Sequence, residues 1–193
     1  MIYTLTGFMG CGKSSIGREV AKLAADFIDL DDAIVEREGR SIPEIFAAGG
    51  EAGFRKIERE TLAVLLEEAG TGRHLLLSLG GGTLTDEYSR ALVRGHCRCI
   101  YLRASIDTLV ENLSEGGETD SRPMLAGAMS GAADAEARKQ ALRERIAAMM
   151  AVRGPIYEAA ADHIIDIDGR SYDDIAREIM DYFSIPCQGK SQE

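Results

Sequence analysis

The sequence predicts an α/β fold in which a five-stranded parallel sheet is covered on both faces by helices. Short apolar, β-prone runs alternate along the chain with segments of helical periodicity. The runs at 74–79 and 97–102 are apolar enough for strands that are buried on both faces. The first run leads directly into a glycine-rich loop and then a helix, which is a connection typical of such folds.

The individual elements follow from these patterns. Strands are predicted near 2–6, 27–30, 73–79, 97–102 and 162–167. Helices are predicted near 14–25, 32–38, 42–47, 54–69, 86–94, 105–113, 134–152 and 171–183. Residues 31–72 hold more helix than one crossover needs, and 114–133 are mostly small and polar.

We therefore expect a single domain over 1–185, with a helical substrate-binding insertion at about 31–72. The loop at about 114–133 is expected to close over the site as a lid, although it could instead be an insertion without a function. The polar tail at 186–193 is expected to be disordered.

Composition limits the possible functions. A chain of 193 residues, 45% of them hydrophobic, can bury one good core, and it has no apolar run long enough to span a bilayer. The first strand leaves no room for a signal peptide, and the four cysteines do not form a disulfide framework, so we expect a cytoplasmic protein. A net charge of -10 argues against nucleic acid and anionic membranes as partners.

The strongest motif is the segment Gly7–Ser14, which fits the phosphate-binding loop: a glycine, four residues, then Gly-Lys-Ser. Its backbone amides and the following helix N-terminus would bind phosphate, Lys13 would reach the β- and γ-phosphates, and Ser14 would hold Mg²⁺. This predicts a P-loop NTPase with a three-layer αβα sandwich and one Mg²⁺ ion. A glycine turn that only joins a strand to a helix is the alternative. The residues expected to bind ATP here are Gly10, Cys11, Gly12, Lys13, Ser14 and Ser15.

A second group of polar residues ends the second predicted strand. Asp29 and Asp31 would lie at the C-terminal edge of the sheet, where such folds bind ligands. One carboxylate could face a metal and the other an acceptor hydroxyl, or both could cap a helix. Arg122 in the predicted lid could cover the transferring phosphoryl oxygens.

Taken together, these motifs resemble the shikimate kinase family over nearly the whole chain. No single motif is specific, but their order and spacing are. The matching segments are the P-loop, Phe27–Asp31, Gly39–Phe46, Gly50–Glu58, Ser78–Gly82, Arg122–Leu125 and Arg153–Tyr157. The resemblance implies a fold like that of the nucleoside monophosphate kinases and ATP-dependent phosphorylation of the 3-hydroxyl of shikimate, in the pathway to chorismate and the aromatic amino acids.

The resemblance also implies roles for individual residues. Asp31 would bind the acceptor diol and act as, or orient, the base. Arg55 and Arg153 would clamp the substrate carboxylate, and Gly80, Gly81 and Gly82 would let backbone amides approach the ring. Asp29 would contact Mg²⁺ through water, and Arg122 would reach in from the lid. Lys13, Asp31 and Arg122 are thus the predicted catalytic residues.

The two arginines and the glycine run that are assigned to shikimate binding also have ordinary structural alternatives. Arg55 could form an exposed salt bridge with Glu51 or Glu58, Arg153 could serve as a charge at a helix C-terminus, and the three glycines could simply end a strand.

The chain departs from the family in one place. An arginine that commonly stacks on adenine just before the lid has no counterpart in 112–118, which leaves Arg170, in the loop 168–171, as a candidate. The rival hypotheses are a kinase of the same fold acting on gluconate or a nucleoside monophosphate, and an inactive nucleotide-binding regulator. The expected partners are ATP and shikimate, and a monomer is the default expectation.

Overall fold

One parallel sheet organises the computed structural model, which describes residues 1–23, 25–69, 74–115 and 135–183. Within these ranges its strands are β1 (Ile2–Thr6), β2 (Asp26–Asp29), β3 (Leu75–Ser78), β4 (Cys97–Arg103) and β5 (His163–Asp166). They are hydrogen-bonded in the order β2-β3-β1-β4-β5, and every pairing is parallel. The predicted five-stranded sheet is confirmed.

Helices in the same ranges cover both faces of this sheet. They are α1 (Lys13–Leu23), α2 (Leu30–Glu38), α3 (Ile42–Glu68), α4 (Glu87–His96), α5 (Ile106–Glu115), α6 (Ala135–Ala160) and α7 (Tyr172–Phe183), with a 3-10 turn at Thr83–Thr85. None of these described helices is both long enough and apolar enough to cross a membrane.

The core is divided by the sheet into two hydrophobic clusters. Along β4, Ile100 and Leu102 belong to one cluster, while Cys99 and Tyr101 belong to the other. This alternation is expected of a strand buried on both faces. The arrangement confirms the αβα sandwich, and Cys97 and Cys99 are buried cysteines on the same side of β4.

One predicted division of a helix is present, and one predicted helix end is not. The helices predicted at 42–47 and 54–69 are the two parts of α3, which is kinked at the non-helical backbone of Gly50 (φ 62°, ψ -167°). The predicted end of a helix at residue 152 is wrong, because α6 runs through Pro155 to Ala160. Gly154 and Pro155 are stop signals in isolation, but this last part of α6 buries Tyr157 completely and so remains helical.

The strand order brings three chain segments together at one edge. Because β3 lies between β2 and β1, Ser78 is level with Asp29 on one side and with Leu5 on the other. The loop after β1, the end of β2 and the glycines after β3 therefore meet at the carboxyl ends of the strands. In open α/β sheets this edge holds the ligands. The predicted lid begins within α5, and its residues after 115, including Arg122, lie outside the described residues, as does the tail at 186–193.

Candidate active site

A cavity of about 580 Å³ opens at this edge of the sheet. It is lined by the loop after β1, by polar residues at the end of β2, by α3 and by the glycines that follow β3. Among its lining residues are Gly10, Gly12, Lys13, Ser14, Ser15, Asp29, Asp31, Arg55, Gly80, Gly81, Gly82 and Arg153. Nearly all of the described residues that the sequence singled out thus surround one space.

The phosphate-binding loop has the conformation that its glycines permit. Gly10 and Gly12 have φ values of 84° and 83°, a region that residues with a Cβ atom rarely adopt. Lys13 opens α1 and is only 9% exposed; its Nζ donates to the carbonyls of Gly7 at 3.0 Å and Phe8 at 3.1 Å. The ammonium is therefore held inside the loop, within reach of any bound phosphate. The Cys11 side chain is buried, and its N–H donates to the Phe8 carbonyl at 3.2 Å.

Asp29 and Asp31 both line the cavity, but not for the reason that strand alternation gives. β2 ends at Asp29, and α2 begins at Leu30, so the two carboxylates lie on different elements. Asp29 caps α2 by accepting from the Asp31 N–H at 3.0 Å through Oδ1, and its Oδ2 accepts from the Ser14 hydroxyl at 2.5 Å. Asp29 is thus both a helix cap and a partner of the P-loop serine.

The donors around Ser14 suit a magnesium ion. Mg²⁺ in phosphoryl-transfer sites is held by one or two protein oxygens together with phosphates and waters, not by a complete cage of side chains. The Ser14 hydroxyl and the Asp29 carboxylate supply such a pair beside the P-loop. Within the described ranges there is no cluster of three or more His, Cys, Asp or Glu side chains that could hold a metal by themselves. The residues present therefore fit an ion that arrives with a nucleotide.

Arg55 is fixed by a buried carboxylate. Its Nη1 donates to Glu58 Oε2 at 2.6 Å, and Glu58, which has no exposed surface, also accepts from the Thr83 hydroxyl at 2.6 Å. Its Nη2 lies 3.6 Å from Glu51 Oε1. The salt bridges that the sequence offered as an alternative are real, but the guanidinium still lines the cavity.

The three glycines after β3 allow close packing around these charges. A Cβ atom at Gly82 would collide with the Arg55 guanidinium, and one at Gly80 would lie 2.8 Å from Glu58 Oε1. On the other side, Arg153 Nη1 donates to the Gly81 carbonyl at 3.2 Å. Although α6 continues beyond it, Arg153 is 7% exposed and faces the cavity.

The far end of the cavity, beyond the P-loop, is lined by Asn112, Leu113 and Tyr172. Asn112 Nδ2 donates to the Gly10 carbonyl at 2.8 Å, and the ring of Tyr172 packs close to Gly12. Arg170 does not line the cavity; its Nη1 donates to Glu178 Oε2 at 2.7 Å.

Several residues of this site were missed by sequence reasoning. Glu58 was considered only as a partner for Arg55, and Asn112, Tyr157 and Tyr172 were not considered for a role. The spacing of Arg55 and Glu58, one helical turn apart, was the one local signal for this pair. Tyr157 and Tyr172 carry no such signal, since their positions depend on how α6 and α7 pack.

Comparison with known proteins agrees with the geometry. The family model described as shikimate kinase matches residues 9–184. A shikimate kinase of Salinibacter ruber is 40% identical over 180 residues, covering 92% of this chain and 81% of the relative. One of Geobacter metallireducens is 41% identical over 179 residues, covering 92% and 89%.

Solved structures show the same likeness. The structure of shikimate kinase from Acinetobacter baumannii in complex with shikimate superposes with a TM-score of 0.76 at 28% identity, covering 94% of this chain and 92% of that one. Shikimate kinase from Bacteroides thetaiotaomicron superposes with a TM-score of 0.79 at 26% identity, covering 96% and 99%.

Proposed function

The chain belongs to the shikimate kinase family, and we propose from the cavity described above how it binds its substrates. It is an ATP-dependent kinase that phosphorylates shikimate, a step in the biosynthesis of aromatic amino acids. The acceptor atom that we propose is the 3-hydroxyl. The observation that carries the assignment of residues is the meeting of the P-loop, Asp31, the half-buried Arg55 and the buried Arg153 in one cavity.

ATP binds in this proposal with its phosphates on the loop and its base toward Tyr172. Backbone amides of Gly10–Ser15 surround the β-phosphate, and Lys13 leaves the carbonyls of Gly7 and Phe8 for the β- and γ-phosphate oxygens. Ser14 and Asp29 would hold one Mg²⁺ ion, Asp29 through water, and an ion held there would neutralise charge on the phosphates. Arg170 would have to leave Glu178 in order to stack on adenine, whereas Tyr172 already lines the cavity.

Shikimate occupies the opposite end, where positive charge is concentrated. Arg55 and Arg153 are both substantially buried, and a planar guanidinium can donate two parallel hydrogen bonds to a carboxylate. Because Gly80, Gly81 and Gly82 have no side chains, their backbone amides can approach the ring closely. This arrangement overcomes the unfavourable field of a chain with net charge -10 for an anionic substrate.

The transfer itself requires little covalent chemistry from the protein. Asp31 lines the cavity close to Gly80, and we propose that it accepts or directs the proton of the attacking hydroxyl. Lys13 stabilises the charge that develops on the transferring group, and Arg122 adds a second cation from the lid. Residue 122 is outside the described ranges, so its role follows from the family resemblance alone.

The remaining proposals concern organisation. We propose one domain over 1–185, with residues 31–72 as the acceptor-binding insertion and 114–133 as the lid. We also propose that the protein works in the cytoplasm as a monomer, and its net charge of -10 disfavours nucleic acid and anionic membranes as partners.

A pair of binding measurements tests this division of the cavity. Lys13→Ala should weaken ATP binding at least tenfold and leave shikimate binding within about threefold, and Arg153→Ala should do the reverse. Isothermal titration of each ligand separately on both variants gives four dissociation constants, one for each ligand with each variant. Equal effects on both ligands would contradict the assignment of separate ends.

A further inference from the structure

Two buried donors meet on one carbonyl oxygen at the shikimate end of the cavity. The Tyr157 hydroxyl donates to the Gly81 carbonyl, and Arg153 Nη1 donates to the same oxygen at 3.2 Å. Tyr157 has no exposed surface, and burial raises the pKa of its hydroxyl although Arg153 opposes the shift. The hydroxyl is therefore protonated at neutral pH and can act as a donor.

We propose that Tyr157 is a positioning residue for shikimate: its hydroxyl holds the Gly81 carbonyl so that Arg153 is free to bind the substrate carboxylate. The proposal rests on the role given above to Arg153. It concerns a side chain that does not line the cavity and reaches it through the Gly81 carbonyl and through Arg153.

The hydrogen-bonding capacity of the carbonyl is the first support. A carbonyl oxygen has two lone pairs and can accept from both donors at once. Gly81 is half-buried, and a bound substrate would screen it further from water. When Arg153 turns to a carboxylate, Tyr157 leaves this carbonyl paired, which avoids the cost of an unsatisfied buried acceptor.

Helix geometry explains why both side chains reach the same atom. Residues 153 and 157 are four apart, so they lie one above the other on the same face of α6. This requires α6 to remain helical through Pro155. The Tyr157 ring packs against Tyr101 of β4, with 5.3 Å between ring centroids, and this contact fixes the hydroxyl relative to the sheet.

The hydrogen bond from the Tyr157 hydroxyl to the Gly81 carbonyl also orients the glycine segment Gly80–Gly82. No cis peptide bond occurs in the described chain, so the Gly81 carbonyl and the Gly82 N–H point in opposite directions across one planar unit. A held carbonyl therefore fixes the direction of the next amide, one of those proposed to approach the substrate ring.

Steady-state kinetics of Tyr157→Phe test the proposal. We expect the KM for shikimate to rise about 5- to 100-fold, the range expected when a buried acceptor loses a donor. The KM for ATP should stay within about twofold, and kcat should fall less than the KM for shikimate rises. In an Arg153→Ala background the same change should add little to the KM for shikimate, since the two residues act as a unit.

Tyr101→Phe is the matched control. It removes a hydroxyl from the neighbouring buried ring without touching Gly81, so it should leave the KM for shikimate within about twofold. The proposal is overturned if Tyr157→Phe has the wild-type KM for shikimate, if the KM for ATP rises in parallel, or if Tyr101→Phe shows the same rise. Equilibrium titration of shikimate on each folded variant checks the kinetic result. A wild-type KM for shikimate in Arg153→Ala would instead refute the role of Arg153 on which the proposal rests.

Discussion

Replacement of Arg55 by alanine separates its role in binding from its role in folding. The guanidinium lines the cavity, its side chain is 16% exposed, and it donates to the buried Glu58 carboxylate at 2.6 Å. A hydrogen bond to a charged group contributes about 1.5–3 kcal/mol, so shikimate binding should weaken about 10- to 150-fold. ATP binding should change less than about threefold, because the P-loop is untouched.

The same change removes the cation beside Glu58, which within the described ranges then keeps the Thr83 hydroxyl as its hydrogen-bond donor. Breaking a buried ion pair costs about 3–5 kcal/mol, and the partial exposure of Arg55 favours the lower value. A second substitution, Glu58→Gln, should restore most of the lost free energy of unfolding without restoring shikimate binding. Urea unfolding and isothermal titration on the single and double variants measure the two effects separately.

Arg59→Ala provides the matched control on the same helix. Arg59 is one turn further along α3, its side chain is 40% exposed, and it pairs with Asp86 at 3.6 Å without lining the cavity. Its loss removes the same charge from the chain, yet shikimate affinity should stay within about threefold, since exposed pairs contribute little. Equal weakening of shikimate and ATP by Arg55→Ala, or an equal loss of shikimate affinity with Arg59→Ala, would refute the proposed substrate contact.

Three further substitutions test the other parts of the site. Asp31→Asn should lower kcat at least a hundredfold while ATP titration stays close to wild type; wild-type turnover would remove Asp31 from the mechanism. Asp29→Asn should raise the Mg²⁺ concentration needed for half-maximal turnover several-fold, because the anionic partner of Ser14 is lost. An unchanged Mg²⁺ dependence would mean that Asp29 serves only as the cap of α2. Tyr172→Ala should raise the KM for ATP about 5- to 100-fold because base stacking is lost, whereas Tyr172→Phe should keep a KM close to that of the wild type. An unchanged KM for ATP in both variants would show that adenine does not stack on this ring.

Much of the fold was predictable because its signals are local. Short β-prone runs that alternate with helical periodicity predicted all five strands and the layer architecture. The signal is clearest for β3 and β4, which are largely buried and mostly apolar. The end of α6 was not predictable, because Gly154 and Pro155 are ordinary stop signals and only the burial of Tyr157 against Tyr101 overrides them. The kink of α3 at Gly50, by contrast, agrees with the two helices that the sequence predicts on either side of it.

The residues of the site likewise fall into those that the sequence predicts and those that only the structure reveals. Lys13 and Ser14 belong to a motif whose spacing carries its chemistry, so sequence alone indicated them. Glu58, Tyr157 and Tyr172 are common residue types on helices, and only the assembled structure brings them to the cavity or to its glycine segment. The stacking of adenine on Arg170 stays a prediction that the pairing of this guanidinium with Glu178 does not favour.

The most direct test of the central claim is ADP release from MgATP by the wild-type chain, with shikimate, gluconate and AMP as parallel acceptors. We predict rapid release with shikimate alone, accompanied by stoichiometric shikimate 3-phosphate. Turnover on gluconate or AMP without turnover on shikimate would contradict the assigned acceptor. Absence of turnover with all three would contradict the assignment as a kinase and favour an inactive nucleotide-binding regulator.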